Sequence, residues 1–538
     1  MTRRDFVRRV GGYGSAAATG AMLALNLLGK TERASAEPAP PGSDGTAPVG
    51  AKGKRPRVLI LGAGLCGMSA AYELGKLGYE CELFEARSRS GGRCWTARGG
   101  TRQDEVGGPT QTAPFAEGFY MNPGPARIPG HHTTTLGYCR ELNVPIEVFS
   151  NVNESAYFLA KGLPRVRVRE ARADLRGYVD ELLAKAVRRD ALDRPLTADD
   201  KEALIEYLRQ DAGLSPDLVY KPKPDRANLS RASESRGYVY DDLPAAGAHP
   251  GHLSDPLDFE TVIKAGFGAH LDFEHQFDQQ PTMFQPVGGM DQIAKAFELK
   301  VGEIIRFRTE VREIRRTADG GVRLVVADLL EGSTREVFGD YCICTIPLSV
   351  LRDIPADFAP AMGDAIRRVP YMDVGKIGLQ FKRRFWEEDD RIYGGISWTS
   401  QNITQLFYPN YGYLGQRGGV MIGYYHFGKD AAEVGKLTPS EREEHALSQG
   451  EKIHPQYRAE LQNSFSVAWH RLPYSLGGWA EWSEQGRAEL YPVLNRPDGP
   501  FFLGGEHLTY LGGWMAGAFE SAKAVVKTLH EIATSKAA

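Results

Sequence analysis

Gly62, Gly64 and Gly67 stand in a G-x-G-x-x-G spacing inside VLILGAGLCGMSAAYELGKLGYECELFE, Val58 to Glu85. Each glycine has a physical task. The first makes a tight turn, the second lets backbone approach a pyrophosphate, and the third lets a helix pack closely. Phosphates placed there meet the positive end of a helix that starts near Leu65. Glu85 follows at the separation from which a carboxylate accepts hydrogen bonds from ribose hydroxyls. A flexible loop can carry such glycines by chance, but here a buried strand leads in, and a helix, a second strand and the acid follow. The chemistry indicated is dinucleotide binding.

The elements that must position this site are spread along a chain of 538 residues, too long for one core. The spacing predicts a helix from VGGMDQIAKAF near Pro286, strands at Val311 to Ile314 and Val322 to Val326, and a short buried strand at Tyr341 to Ile346. Tyr371 to about Tyr491 is aromatic-rich and strand-prone, as in an antiparallel sheet that walls a pocket. Between them, Arg165 to Gln210 reads as two amphipathic helices, with Thr197 and Asp200 marking a helix start, and Ser215 to Pro256 reads as loop. Phe501 to His530 closes the chain with FFLGGE, LGGW and a helix from about Ala516. The fold class is α/β, a two-domain arrangement. Its Rossmann-like domain is assembled from residues 55–125, 285–365 and 490–535. An antiparallel-sheet substrate domain comprises 126–165, 257–284 and 366–489, and a helical and loop lobe comprises 166–256.

Charge and cysteines exclude several classes. Net charge is −3 with no basic tract beyond the first residues, so nothing favours nucleic acid. Arg3, Arg4 and Phe6 precede a mildly apolar run and Ala34-Ser35-Ala36, the layout of a twin-arginine export signal cleaved after residue 36. Glycines and Asn26 make the run too polar for a comfortable membrane span. This leader carries six basic and two acidic residues, so its removal takes the net charge to −7 and leaves no stable membrane association. Residues 37–54 read as a linker. Six cysteines show neither C-x-x-C nor zinc spacing, so no metal site is expected and most should be small buried apolar residues.

Five ordered motifs point further: GAGLCG with Glu85, SGGR at Ser90 to Arg93, PVGGMDQI at Pro286 to Ile293, CTIPLSVL at Cys344 to Leu351, and FLGGEHLTYLGGWMAGAFESA near the C-terminus. Together they resemble the flavin-dependent amine oxidases from about residue 56 onward. NPGPARIP (Asn122 to Pro129), GKIGLQFKRRFWEED (Gly375 to Asp389) and GVMIGYY (Gly419 to Tyr425) look most like the L-amino-acid oxidases within that family.

The resemblance implies FAD held by Gly62, Gly64, Gly67, Met68, Ser69, Glu85, Ala86, Arg93, Gly124, Pro125, Ala126, Arg127 and the backbone of Val311. Glu506 is implied at the ribityl and phosphate end, and Gly513, Trp514, Met515, Ala516, Gly517 and Ala518 over the isoalloxazine. Arg93 would meet the pyrophosphate through its fork. Arg127 would bind the carboxylate of an α-amino acid, which a simple amine lacks, assisted by the Tyr424 hydroxyl. Lys376 would reach flavin N5 through a water, though a lysine at a strand end more usually faces solvent. Gly513 and Trp514 would receive the amine and wall the substrate, and Trp479 is placed either near the flavin or in a plain core. His131 and His132 receive no role.

By resemblance the reaction is oxidative deamination. The Cα hydrogen leaves as hydride toward N5, O2 is reduced to hydrogen peroxide, and the imino acid hydrolyses to a 2-oxo acid and ammonia. No cysteine follows Cys344, so FAD should be non-covalent. A homodimer is the family habit. The alternatives are an amino-acid 2-monooxygenase, a monoamine or polyamine oxidase, which Arg127 argues against, and an FAD-binding scaffold without turnover. Rings in Phe259 to Phe284 and Trp398 to Tyr425 suggest apolar and aromatic substrates, whereas Asp258, Asp272 or Glu274 would suit a cationic side chain.

Overall fold

The strand Arg57–Leu61 is apolar at every position but its first and is covered on both faces, as parallel sheets require. It pairs in parallel with Glu80–Phe84 on one side and Tyr341–Cys344 on the other. Ile305–Arg306 and Phe501–Leu503 complete a five-stranded parallel sheet in which strands far apart in sequence lie side by side. The computed structural model describes residues 55–220, 236–247, 249–271, 273, 276–280 and 282–537. The export signal and the linker expected over residues 1–54 lie outside the described residues.

Helix Leu65–Lys76 and the C-terminal helix Met515–Ala537 pack together on one face of this sheet. A core of Val58, Ile60, Met68, Phe297 and Phe519 lies there. Cys342 and Cys344 face the opposite layer with Leu59 and Leu61, the alternation expected of one strand. All six cysteines are free thiols. A three-stranded antiparallel meander, Thr309–Arg316, Val322–Asp328 and Thr334–Gly339, adjoins the sheet.

The second large sheet has seven strands and includes Val374–Phe381 flanked by Gly419–Phe427 and Leu461–Ala468, all antiparallel. The expected strand-rich segment also holds two helices, Gly428–Gly435 and Pro439–Gly450. Thr438 and Glu441 form a capping box at the start of the second, with Pro439 in its first turn. The chain crosses between the two sheets several times, and the described residues belong to one compact unit.

Helices Val168–Arg188 and Ala198–Ala212 occupy the expected helical stretch, the second capped by Thr197 with Asp200. They share a small core of Ala184, Leu208, Ala212 and Tyr220. Among the described residues no helix is long and apolar enough to cross a membrane.

Candidate active site

The glycine turn is built by its neighbours. Gly62 N–H donates to Phe84 O at 2.8 Å, and its φ of +99° is a conformation that side chains resist. A Cβ on Gly67 would collide with Gly62 O, whereas a Cβ on Gly64 would meet nothing within 4 Å. The helix therefore starts hard against the strand, and the space beside Gly64 opens into a cavity of about 450 Å³. No acid occupies the first helical turn, so its free N–H groups remain available to an anion. Glu85 lines the same cavity, its carboxylate steadied by the N–H groups of Ala63 (2.9 Å) and Arg87 (2.8 Å).

Along this cavity lie the expected Ala86, Arg93, Gly124 and Pro125, then Val311, Glu506 and Gly513, and finally Trp514, Met515 and Ala518. Val311 sits beside a β-bulge that bends its strand. Met68, Ser69, Ala126, Arg127, Ala516 and Gly517 do not line it, nor do Lys376 and Tyr424, and neither does Gly67, which acts through packing. The Arg93 fork makes an ion pair: Nη1 donates to Glu506 Oε1 at 2.7 Å and to Gly478 O at 2.7 Å. Glu506 Oε2 accepts from Gly513 N–H at 3.0 Å, so one carboxylate ties the SGGR loop to the C-terminal glycine loop. Glycines where backbone approaches, an acid at the strand end, an open helix N-terminus and an arginine fork together fit a dinucleotide cofactor.

Lys376, beside the lining residues Gly124 and Tyr425, is 2% exposed and does not face solvent. Its Nζ donates to Gly124 O at 2.6 Å and lies over the Tyr425 ring. Burial, and secondarily the Arg127 charge, push its pKa down to about 7. Lys376 pairs with Tyr425 across the sheet, so both project from the same face.

Tyr424 therefore belongs to the other face, a correction to its expected role beside Arg127. It stacks on His426 at 4.3 Å, near Ser466 and the bidentate Glu105–Arg442 pair. The tyrosine whose charge environment includes Arg127 is Tyr425, whose hydroxyl burial pushes up to about 12. The Lys376–Tyr425 pairing sets which of the two tyrosines shares the lysine's face, and the register slips only beyond them, at Gly423.

The Arg127 guanidinium is 9% exposed and ringed by Phe407 (5.4 Å), Phe273 (5.6 Å) and Trp514 (5.9 Å). Its Nη2 donates to Gln279 Oε1 at 3.1 Å, its Nε has no partner, and no described carboxylate lies within ion-pair distance. Burial lowers its pKa to about 10.

A sequence model described as flavin containing amine oxidoreductase matches residues 65–530. The chain belongs to this family. The amine oxidoreductase is 29% identical over 495 residues to the flavin-dependent L-tryptophan oxidase RebO of Lentzea aerocolonigenes, covering 88% of this chain and 98% of that protein. It is 27% identical over 491 residues to the L-amino-acid oxidase BjussuLAAO-I of Bothrops jararacussu, covering 86% and 88%. Its fold is similar to that of cyclohexylamine oxidase from Brevibacterium oxydans IH-35A, with a TM-score of 0.57, 16% identity, and 89% and 99% of the two chains covered. Putrescine oxidase bound to putrescine gives a TM-score of 0.56 at 18% identity over 88% and 98%.

Several residues of this amine oxidoreductase's site escape sequence reasoning. Tyr425 was hidden by a neighbour of the same type. Gln279 and Asp278 lie in a polar stretch without periodicity, and Asp278 Oδ2 accepts from Trp514 Nε1 at 3.2 Å. Trp479 lines the cavity against Gly513. His132 meets Trp514 edge-on at 5.0 Å, its pKa lowered by burial to about 4. Asp258 does not enter the pocket; it caps helix Phe259–Lys264. Asp272 and Glu274 lie outside the described residues.

Proposed function

We propose that this protein is an FAD-dependent L-amino-acid oxidase. The observation that carries the reading is the Arg127 guanidinium, buried among aromatic rings without a described carboxylate partner. A buried charge is costly unless paired, so the site favours a ligand that brings an anion. An α-amino acid brings a carboxylate close to its reactive carbon, which the guanidinium can grip in two-point geometry. FAD, held non-covalently along the glycine turn, Glu85, Arg93, Val311 and Glu506, supplies the two-electron acceptor that O2 re-oxidises.

The chain's own residues then have defined tasks. Arg127 and the Tyr425 hydroxyl hold the carboxylate, and Trp514, Trp479 and Tyr425 exclude water. Lys376 Nζ, whose pKa burial lowers to about 7, accepts a proton from the substrate ammonium and frees its lone pair. The products follow as 2-oxo acid, ammonia and hydrogen peroxide.

Arg127→Met tests this directly: kcat/KM for L-phenylalanine or L-leucine should fall at least a hundredfold, and undiminished turnover would overturn the reading. Anaerobic bleaching of the flavin band across the twenty amino acids gives the side-chain preference. Product analysis separates an oxidase from a 2-monooxygenase, which would yield an amide. Export by the twin-arginine route belongs to the same proposal. Replacing Arg3 and Arg4 by lysine should retain the protein in the cytoplasm. Acid precipitation should release yellow FAD into the supernatant.

A further inference from the structure

Residues 276–280 form a strap beside the Arg127 site, and three consecutive side chains engage different parts of it. Asp278 Oδ2 accepts from Trp514 Nε1 at 3.2 Å, and Gln279 Oε1 accepts from Arg127 Nη2 at 3.1 Å. Gln280 meets His131 Nδ1 through its Nε2 at 2.8 Å, while its Oε1 accepts from Gly130 N–H at 3.3 Å. Asp278 and Gln280 thus moor the strap on both sides of Gln279.

The allocation of partners is informative. The Asp278 carboxylate, whose charge reaches Arg127 at longer range, takes its hydrogen bond from the indole, and the buried neutral amide of the next residue, Gln279, takes that of the guanidinium. An amide satisfies one guanidinium donor, but a charge-assisted pair is roughly twice as strong as a neutral bond. The amide is therefore an occupant that an incoming carboxylate can displace, whereas an acid at the same place would not yield.

Resting on the amino-acid oxidase reading, we infer that Gln279 is a neutral placeholder that keeps Arg127 partly satisfied and selectable by carboxylates. It is a positioning residue that sets affinity for the substrate's carboxylate end. Glutamate at 279 would supply an internal anion and close the site to external ones, without any change to the flavin cradle.

The test uses holoenzyme and two probes, benzoate and neutral benzamide, titrated by perturbation of the flavin absorption band. In Gln279→Glu, benzoate affinity should fall at least twentyfold while benzamide affinity changes less than threefold, and KM for L-phenylalanine should rise in parallel with the benzoate loss. Gln279→Leu, which removes the acceptor without adding charge, should bind benzoate as well as or better than wild type. Benzoate affinity within twofold of wild type in Gln279→Glu overturns the inference, as does equal loss of benzoate in Gln279→Leu. If wild type oxidises no amino acid but the charge-selective loss is found, the placeholder stands and the substrate reading falls. If wild type oxidises amino acids and Gln279→Glu binds benzoate normally, the placeholder alone falls.

Discussion

The Lys376 ammonium lies 4.1 Å from the centre of the Tyr425 ring while its Nζ donates to the Gly124 carbonyl at 2.6 Å. One side chain thus joins strand Val374–Phe381 of the second sheet to the loop that leads into Arg127. Among the described residues no carboxylate pairs with it, and Arg127 opposes its charge. The lysine is held there at an electrostatic cost.

That cost has a sign that can be measured. The pKa is about 7 in the folded protein against an ordinary 10.5, so between these values the unfolded chain holds a proton that the folded chain has released. Stability from this group therefore rises with pH across that window and is constant below it. Relative to Lys376→Met, wild type should gain about 3 kcal/mol between pH 7.0 and 9.5 in urea unfolding. A difference that stays flat with pH would contradict the lowered pKa.

Tyr425 and Tyr424 offer a cleaner contrast because they are adjacent and identical in type. The Tyr425 hydroxyl remains protonated and able to donate, and a hydrogen bond to a charged group contributes about 1.5–3 kcal/mol. Tyr425→Phe should raise KM for an amino acid about tenfold or more. Tyr424→Phe loses a contact to Ser466 on the other face, so it should cost about 1 kcal/mol of stability and leave KM within about twofold. The reverse pattern in steady-state kinetics would restore Tyr424 to the site.

This pair also marks where sequence reading stops. The glycine turn, Glu85, the helix start at Thr197 and three strands of the parallel sheet, Arg57–Leu61, Glu80–Phe84 and Tyr341–Cys344, were legible because each depends on local spacing and burial, whereas the two-residue strand Ile305–Arg306 was not. The inward face of Gly419–Phe427 was not, because it is set by how that strand pairs with Val374–Phe381, with a slip at its own Gly423, and the pairing leaves no sign in the sequence. The Arg93–Glu506 pair joins residues 413 positions apart, a separation no motif spacing encodes. The capping box before Pro439–Gly450 was present in TPSE, yet the surrounding aromatic residues argued for strand.

The glycine turn separates folding from cofactor binding. Alanine at Gly67 collides with the Gly62 carbonyl, so Gly67→Ala should destabilise the protein by about 1–3 kcal/mol through forced repacking. Alanine at Gly64 meets no protein atom and instead enters the cavity. Gly64→Ala should fold with a wild-type circular dichroism spectrum but retain less flavin after gel filtration. Full flavin content in Gly64→Ala would remove this glycine from the cradle.

Asp174 holds the helical lobe by a different principle. It is fully buried on helix Val168–Arg188 and accepts from Arg236 Nε (2.9 Å), Tyr220 Oη (2.9 Å) and Leu257 N–H (2.9 Å). Three segments that are distant in sequence therefore meet on one carboxylate. Removing it leaves the Arg236 guanidinium, itself 3% exposed, without its closest counter-charge. A buried charge stranded in this way costs about 3–5 kcal/mol, more than the pair itself contributes. Asp174→Ala should thus destabilise the protein by that amount in urea unfolding, while Asp174→Ala combined with Arg236→Met should recover part of the loss because no charge remains stranded. If the double variant were no more stable than the single one, the cost would lie in lost packing and not in the unpaired guanidinium.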